Sequence, residues 1–355
     1  MKLLIHNRVQ YGRHTDTQKY VEILGSCMEI EYACLDSSQE RQIPPFGKVT
    51  YVCNPKDSRF LRVYKIICYT LRNYKRFDHT LVVYHPGVSI LGLALRRNAT
   101  LDIRSRVIGK SKVGQILGNY LLRTESRFFK KTSVVSKELG EYLRLKNSLI
   151  LPVGADIATL SARPVNQKFE KPIQFLYLGS LEQHEISILV DGFAVAKREC
   201  NHEIILRLVG SGPLSEISKI QETIKLNKLE ASVEMLGYQY RDKIPEIISY
   251  ADIGIVHIPT DGRYDGQPST KLFEYWSFGL PVIASNYDMN KRLVSSDTGF
   301  LYEMNPTDIA RSMIAIIERL PEYDRDLITK KSLDYSWENV ALQILKPYLE
   351  HQLTE

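Results

Sequence analysis

Short apolar runs alternate with amphipathic stretches along this chain, and the alternation breaks and restarts once. Strands are predicted at 2–5, 29–33, 48–53, 80–84, 100–103 and 133–135, and helices at 17–24, 59–74, 89–96, 114–130 and 137–145. In 59–74, Leu61, Tyr64, Ile67, Cys68 and Leu71 recur at helical spacing between basic side chains, an amphipathic stripe. Residues 161–172 are polar and proline-flanked, a linker. Beyond them strands are predicted at 173–177, 204–209, 233–236, 253–257 and 282–284, and helices at 185–197, 214–226, 243–249, 271–278 and 307–318. Such alternation builds a mostly parallel sheet covered on both faces. A length of 355 residues suits two domains, each with its own core. The expected organisation is α/β, with Rossmann-like domains at 1–160 and 161–336 facing each other across a cleft, and ligands at the carboxyl ends of the strands. A last helix, about 337–351, is expected to pack back on the first domain.

Composition narrows the class. Hydrophobic residues make up 44% and charged residues 25% of the chain, ordinary for a soluble globular protein. No apolar run reaches the roughly 18–20 residues that a membrane span needs. The opening Met-Lys-Leu-Leu-Ile-His-Asn-Arg reads as a buried first strand, not a secretory signal. Five cysteines without a Cys-x-x-Cys pair argue against a disulfide framework or zinc site and fit a reducing cytoplasm. Eight histidines show no metal-binding spacing, so no metal or cofactor is expected.

Charge is unevenly placed. From Lys56 to Ile150, 20 Lys and Arg stand against 6 Asp and Glu, although the whole chain is only +6. Such asymmetry suggests a basic face for lipid headgroups or nucleic acid, with a solvated face lacking any partner as the plainer alternative. No zinc finger, helix-turn-helix or aromatic-rich RNA-binding pattern supports nucleic acid. An anionic membrane surface is the expected partner.

The chemistry concentrates in Gln267-Pro-Ser-Thr-Lys-Leu-Phe-Glu-Tyr-Trp-Ser-Phe-Gly-Leu-Pro-Val-Ile-Ala-Ser285. A polar turn around Pro268 enters a short helix, which Gly279 stops and Pro281 keeps from continuing. The helix entry offers unpaired backbone N–H groups and the positive dipole end to a phosphate near Ser269 and Thr270. Glu274 lies one turn further in, on the face of Thr270 and Lys271, within reach of a sugar hydroxyl. Any α/β protein could also carry such a loop–helix–strand unit, with Glu274 merely solvated. Two further loops suit close ligand approach: Leu208-Val-Gly-Ser-Gly-Pro213, with Gly210 and Gly212, and Leu236-Gly237-Tyr238. Either Tyr238 or Tyr240 is placed to stack on a base or to pack on the surface. Tyr84-His85-Pro86-Gly87 ends a strand of the first half, where His85 is placed to bond a sugar hydroxyl or to serve the core.

In this order the segments resemble the donor-binding elements of the family-4 retaining glycosyltransferases, enzymes of the GT-B fold. Pro268-Ser-Thr-Lys-Leu-Phe-Glu-Tyr275 and Gly279-Leu-Pro-Val-Ile-Ala284 carry the likeness, and Gly210-Ser-Gly-Pro213, Leu236-Gly237 and Ala251-Asp252 extend it. It implies that Glu274 contacts the ribose of a nucleotide sugar and that His85 and Lys271 serve catalysis. Gly12 would lie in a loop against the donor phosphates, with Gly179, Ser180, Gly210, Gly212, Gly237, Tyr238 and 267–270 around the donor. Asp102-Ile-Arg104, Glu125, 133–136 and Leu151-Pro-Val-Gly-Ala-Asp156 resemble first-domain elements.

Two departures stand out. Gly266, beside Asp265, occupies the place of the family's first glutamate, eight residues before Glu274. Ser180, and His184 or Glu185, stand where the family carries the Arg and Lys that neutralise the diphosphate. Two charge-assisted contacts of roughly 1.5–3 kcal/mol each are then missing unless Lys271, Arg263 or a basic residue of the first domain supplies them. The resulting expectation is a cytoplasmic glycosyltransferase, peripheral at the inner face of the membrane. It would act with retention on a nucleotide sugar and a saccharide or lipid-linked acceptor in surface-polysaccharide synthesis. A GT-B pseudoenzyme or nucleotide-sugar-binding subunit, a GT-B epimerase and a nucleic-acid-binding protein are the alternatives.

Overall fold

In the computed structural model the described residues are 1–107, 111–157, 171–262 and 264–351, without the side chain of Arg97. They form two units, Met1–Gly154 with Trp337–Glu355 and Ala155–Ser336. Residues 161–170 of the expected linker, and Arg263, lie outside the described residues.

The first unit contains β1 (Lys2–Asn7), α1 (Thr15–Leu24), β2 (Glu29–Cys34), β3 (Lys48–Tyr51), α2 (Arg59–Asn73), β4 (His79–Val83) and α3 (Ser89–Leu95). It continues with β5 (Ala99–Ile103), α4 (Lys112–Ser126), β6 (Lys131–Val134), α5 (Lys137–Leu143) and β7 (Leu149–Ile150). Its seven strands are all parallel, in the order β3-β2-β1-β4-β5-β6-β7. Every residue of β4 and β5 is buried, as expected of central strands covered on both faces. The C-terminal helical run from Trp337 to His351, with a π-helical stretch at Val340–Leu345, packs into this unit's core. Trp337 is 2% exposed and lies edge-on to Tyr20. A Cβ on Gly154 would meet the Trp337 indole at 2.5 Å, so the glycine makes room for it.

The helix α2 corrects the expected stripe. Its buried residues are Ile66, Ile67 and Thr70, while Leu61 and Tyr64 are 41% and 64% exposed. Period alone locates a stripe but not which neighbouring residues the sheet covers.

The second unit comprises β8 (Ile173–Leu178), α6 (Ile186–Glu199), β9 (Ile204–Val209), α7 (Leu214–Leu226), β10 (Val233–Gly237), α8 (Ile244–Ser249), β11 (Ile253–Val256) and α9 (Thr270–Ser277). It ends with β12 (Val282–Ser285), α10 (Asp288–Leu293), β13 (Gly299–Tyr302), α11 (Pro306–Glu318) and α12 (Arg325–Leu333). Six parallel strands run in the order β10-β9-β8-β11-β12-β13. The strand β13 escapes the hydrophobic pattern because it is short and opens on Gly299, where a Cβ would stand 1.8 Å from the Val282 carbonyl oxygen. Both sheets therefore have the doubly wound, Rossmann-like form.

Candidate functional site

In each sheet the chain builds outward on one side of a central strand and then returns to build on the other. That reversal splays the loops at the strand carboxyl ends and opens a crevice there. The reversal falls between β8 and β11 in the second unit and between β1 and β4 in the first. Gly179, Ser180 and 267–274 follow β8 and β11 at the first of these places, and Gly12 and His85 follow β1 and β4 at the second. Gly210, Gly212, Gly237 and Tyr238 instead lie further out, at the ends of β9 and β10.

In the second unit, the loops after β8 and β9 are laced together. Gly179 N–H donates to Val209 O at 3.0 Å and Leu181 N–H to Ser211 O at 2.9 Å. A Cβ at Gly210 would lie 1.7 Å from the Gly179 carbonyl oxygen, so this contact between loops demands the glycine. A Cβ at Gly212 would meet Leu181 Cβ at 3.0 Å and Glu182 N at 3.1 Å, a tighter approach than usual but a milder one than at Gly210. Ser180 Oγ accepts from Glu182 N–H at 3.0 Å and closes its own turn, while Tyr177 donates to Ser180 O at 2.7 Å. Gly237, with φ +64°, faces open space, and Tyr238 beside it is 66% exposed in an edge-on pair with Tyr240. The tyrosine is thus available to a planar ligand.

The helix α9 is pinned to the sheet by Tyr275. Its hydroxyl donates to Leu176 O at 3.0 Å and accepts from Leu178 N–H at 2.9 Å. Gly254 has no Cβ because the Tyr275 ring would lie 2.4 Å from it. Tyr287 holds the approach by donating to Gln267 O at 3.0 Å, and Pro268 is buried beside it. Ser269 is the N-cap, in extended conformation and making no side-chain cap bond, so Thr270 and Lys271 open the helix without one. An anion at this end meets backbone donors and the dipole. Lys271 Nζ donates to Glu274 Oε1 and Oε2 at 2.7 and 2.8 Å. The groups expected to hold phosphate and ribose separately hold each other here, partly exposed at 33% and 20%.

Departures in the β8–α6 loop have visible uses. Glu185 takes a left-handed backbone, φ +54°, as the residue before α6, and His184 Nδ1–H donates to Glu182 O at 2.7 Å. Gly266 is left-handed at φ +77°, which glycine adopts freely. His257, just past β11, is 1% exposed and bonded through Nδ1 to the Tyr302 hydroxyl at 2.7 Å. Burial pushes its pKa down to about 3.

In the first unit, Gly12 has φ +85° in the loop after β1. His85, after β4, is 2% exposed and its ring nitrogens are engaged. Nδ1 faces Pro86 O at 3.0 Å and must be the protonated nitrogen, because a carbonyl only accepts. Nε2 is then the acceptor for His6 Nε2–H at 2.8 Å, and His6 Nδ1 accepts from the Thr70 hydroxyl at 2.7 Å. Two neutral imidazoles form one directed chain. A sugar hydroxyl seeking His85 would compete with His6 or Pro86. Glu125, 5% exposed, accepts from Gly87 N–H at 2.7 Å and so shapes the same loop. Arg104 lies between Asp16 and Asp102 and donates to Leu151 O and Pro152 O, a brace within the unit.

Sequence reasoning passed over Arg8. It follows β1 half-buried, and burial together with Arg59 and Arg62 pushes its guanidinium pKa down. Arg59 and Arg62 sit in the first turn of α2, where carboxylates suit the dipole and none occurs. That inversion was the signal available in the sequence.

Residues 172–319 match the family model of glycosyl transferases group 1. No curated protein matches the chain. Similar solved structures cover nearly all of it. The lipopolysaccharide outer core galactosyltransferase WaaB, in its apo form, is 18% identical over 99% of this chain and 100% of its own, with a TM-score of 0.72. Sucrose-phosphate synthase from Thermosynechococcus elongatus is 17% identical over 100% and 99%, with a TM-score of 0.75. Anabaena HepE, in complex with UDP and glucose, is 14% identical over 99% and 100%, with a TM-score of 0.74. At these identities the likeness establishes the fold, GT-B. With a group 1 glycosyl transferase domain over 172–319, the chain is an enzyme of the sugar-transferring class.

Proposed function

We propose that the protein moves a sugar from a nucleotide-sugar donor, with retention, to a saccharide or lipid-linked acceptor in surface-polysaccharide synthesis at an anionic membrane. The observation that carries this reading is α9, fastened by Tyr275 at the β8/β11 crevice with an uncapped N-terminus and Lys271 beside Glu274. The departing diphosphate would lie on the backbone donors near Ser269 and Thr270, with Lys271 supplying the cation that Ser180 and Glu185 do not. Glu274 would exchange its lysine contact for ribose hydroxyls, and Tyr238 would flank the base. Catalysis then rests on positioning and on neutralising the leaving group, without a metal or organic cofactor. The Arg8, Arg59 and Arg62 group offers the first unit an anion site for a phosphate-bearing acceptor.

HepE was solved with UDP and glucose, which makes UDP the first nucleotide to try. Thermal stabilisation by UDP, followed by calorimetry on Glu274→Ala, tests the site, since a ligand of the folded state alone raises apparent stability. Loss of about 1.5–3 kcal/mol in affinity is expected for removing a charged hydrogen-bonding partner. An unchanged dissociation constant refutes the ribose role. The replacements at Ser180 and Glu185 favour one second reading, a nucleotide-sugar-binding protein of weak activity. Donor binding accompanied only by slow hydrolysis in the presence of varied acceptors would select it.

A further inference from the structure

The helix α4 is amphipathic the wrong way round. Val113, Ile116, Leu117 and Tyr120 recur at helical spacing and are 67%, 68%, 63% and 70% exposed. The opposite, buried face carries Asn119, Glu125 and Ser126 around Leu122. Hydrogen bonds hold this orientation. Asn119 Oδ1 accepts from Val107 N–H at 2.9 Å and its amide donates to Val107 O and Gln115 O, while Glu125 accepts from Gly87 N–H. Turning the apolar stripe inward would strand those groups.

The neighbours extend the surface. The helix α3 packs against both α2 and α4 and exposes Ile90 and Leu93 at 53% and 61%. Exposed apolar area of this continuity marks an interaction site. Its charge identifies the occupant. From Lys112 to Lys131 the chain carries five basic residues (Lys112, Arg123, Arg127, Lys130 and Lys131), and its one acidic residue, Glu125, is buried. A second copy would bring the same positive rim against itself, whereas an anionic bilayer satisfies both the rim and the apolar stripe.

We propose that α4 inserts its Val113–Tyr120 face into the headgroup–acyl boundary of an anionic bilayer, with α3 beside it and the basic residues on lipid phosphates. This deepens the membrane-surface part of the function proposed above and is independent of sugar transfer. Attachment by this face is hydrophobic as well as electrostatic, so salt weakens the encounter without withdrawing the inserted side chains.

Tyr120→Trp supplies the probe, because the native Trp276 and Trp337 are each only 2% exposed. With vesicles of phosphatidylglycerol and phosphatidylcholine, its emission should shift to the blue and be quenched by brominated acyl chains. Phosphatidylcholine alone should give neither effect. Ile116→Glu with Leu117→Glu should lower vesicle binding at least tenfold, and Ile116→Ser with Leu117→Ser should lower it without adding negative charge. Circular dichroism and UDP stabilisation should stay unchanged in both. Vesicle binding without quenching overturns insertion and leaves attachment by charge alone. No vesicle binding, or a dimer that the same substitutions dissolve, overturns the bilayer as occupant. UDP stabilisation reports on the transferase reading separately in every case.

Discussion

Acid should loosen the first unit through its buried histidines, and His79 carries a share that can be isolated. It is 2% exposed on β4, bonded through Nε2 to the Thr100 hydroxyl at 2.9 Å. Burial, reinforced by Lys131, pushes its pKa down to about 4. An unfolded histidine titrates near 6.5, so below that pH the unfolded chain takes up a proton that the folded one refuses. Stability must therefore fall as pH drops from about 6.5 to about 4, and level off below the folded value. The full shift corresponds to about 3.4 kcal/mol, of which roughly 2 kcal/mol has gone by pH 5. His6 and His85 are displaced the same way by burial and add to the slope. Trp276→Phe leaves Trp337, inside the first unit's core, as the sole tryptophan. Urea unfolding followed by its fluorescence at about pH 7.5 and pH 5 then reports on this unit. His79→Gln keeps a group able to bond Thr100 but does not titrate. It should be less stable than the parent at the higher pH and recover roughly 2 kcal/mol relative to it at the lower. Parallel losses in both proteins would refute a neutral, buried His79.

Other outcomes follow from the second unit. Lys271→Ala should weaken UDP far more than uridine, because its ammonium is proposed to neutralise the diphosphate once Glu274 turns to the ribose; equal losses in calorimetry would assign the lysine to packing against Glu274. Tyr275→Phe keeps the ring over Gly254 but leaves Leu178 N–H and Leu176 C=O without their partner, and should cost about 1–3 kcal/mol of stability in denaturant unfolding, with a fall in UDP affinity. Gly210→Ala forces a methyl onto the Gly179 carbonyl and should destabilise the unit by about 2 kcal/mol or more, read as a lowered thermal midpoint; an unchanged midpoint would show that the loops separate freely.

Much of the architecture is written locally. The spans expected at 204–209 and 214–226 are β9 and α7, because apolar period and turn residues act over a few neighbours. The helix entered at Thr270 and ended by Gly279 is legible for the same reason. Long-range contacts decided the rest. Gly210 reads as a ligand-approach glycine, yet its tightest neighbour is Gly179, brought beside it by strand pairing. His85 reads as a lone histidine at a strand end, whereas the fold sets His6, 79 residues earlier, against its Nε2 at 2.8 Å. Arg8 gains its meaning only where α2 delivers Arg59 and Arg62. The period of α4 establishes that an apolar stripe exists. Which side faces the sheet was decided by hydrogen bonds from Asn119 and Glu125 to remote loops, since a buried polar group without a partner costs more than an exposed apolar one.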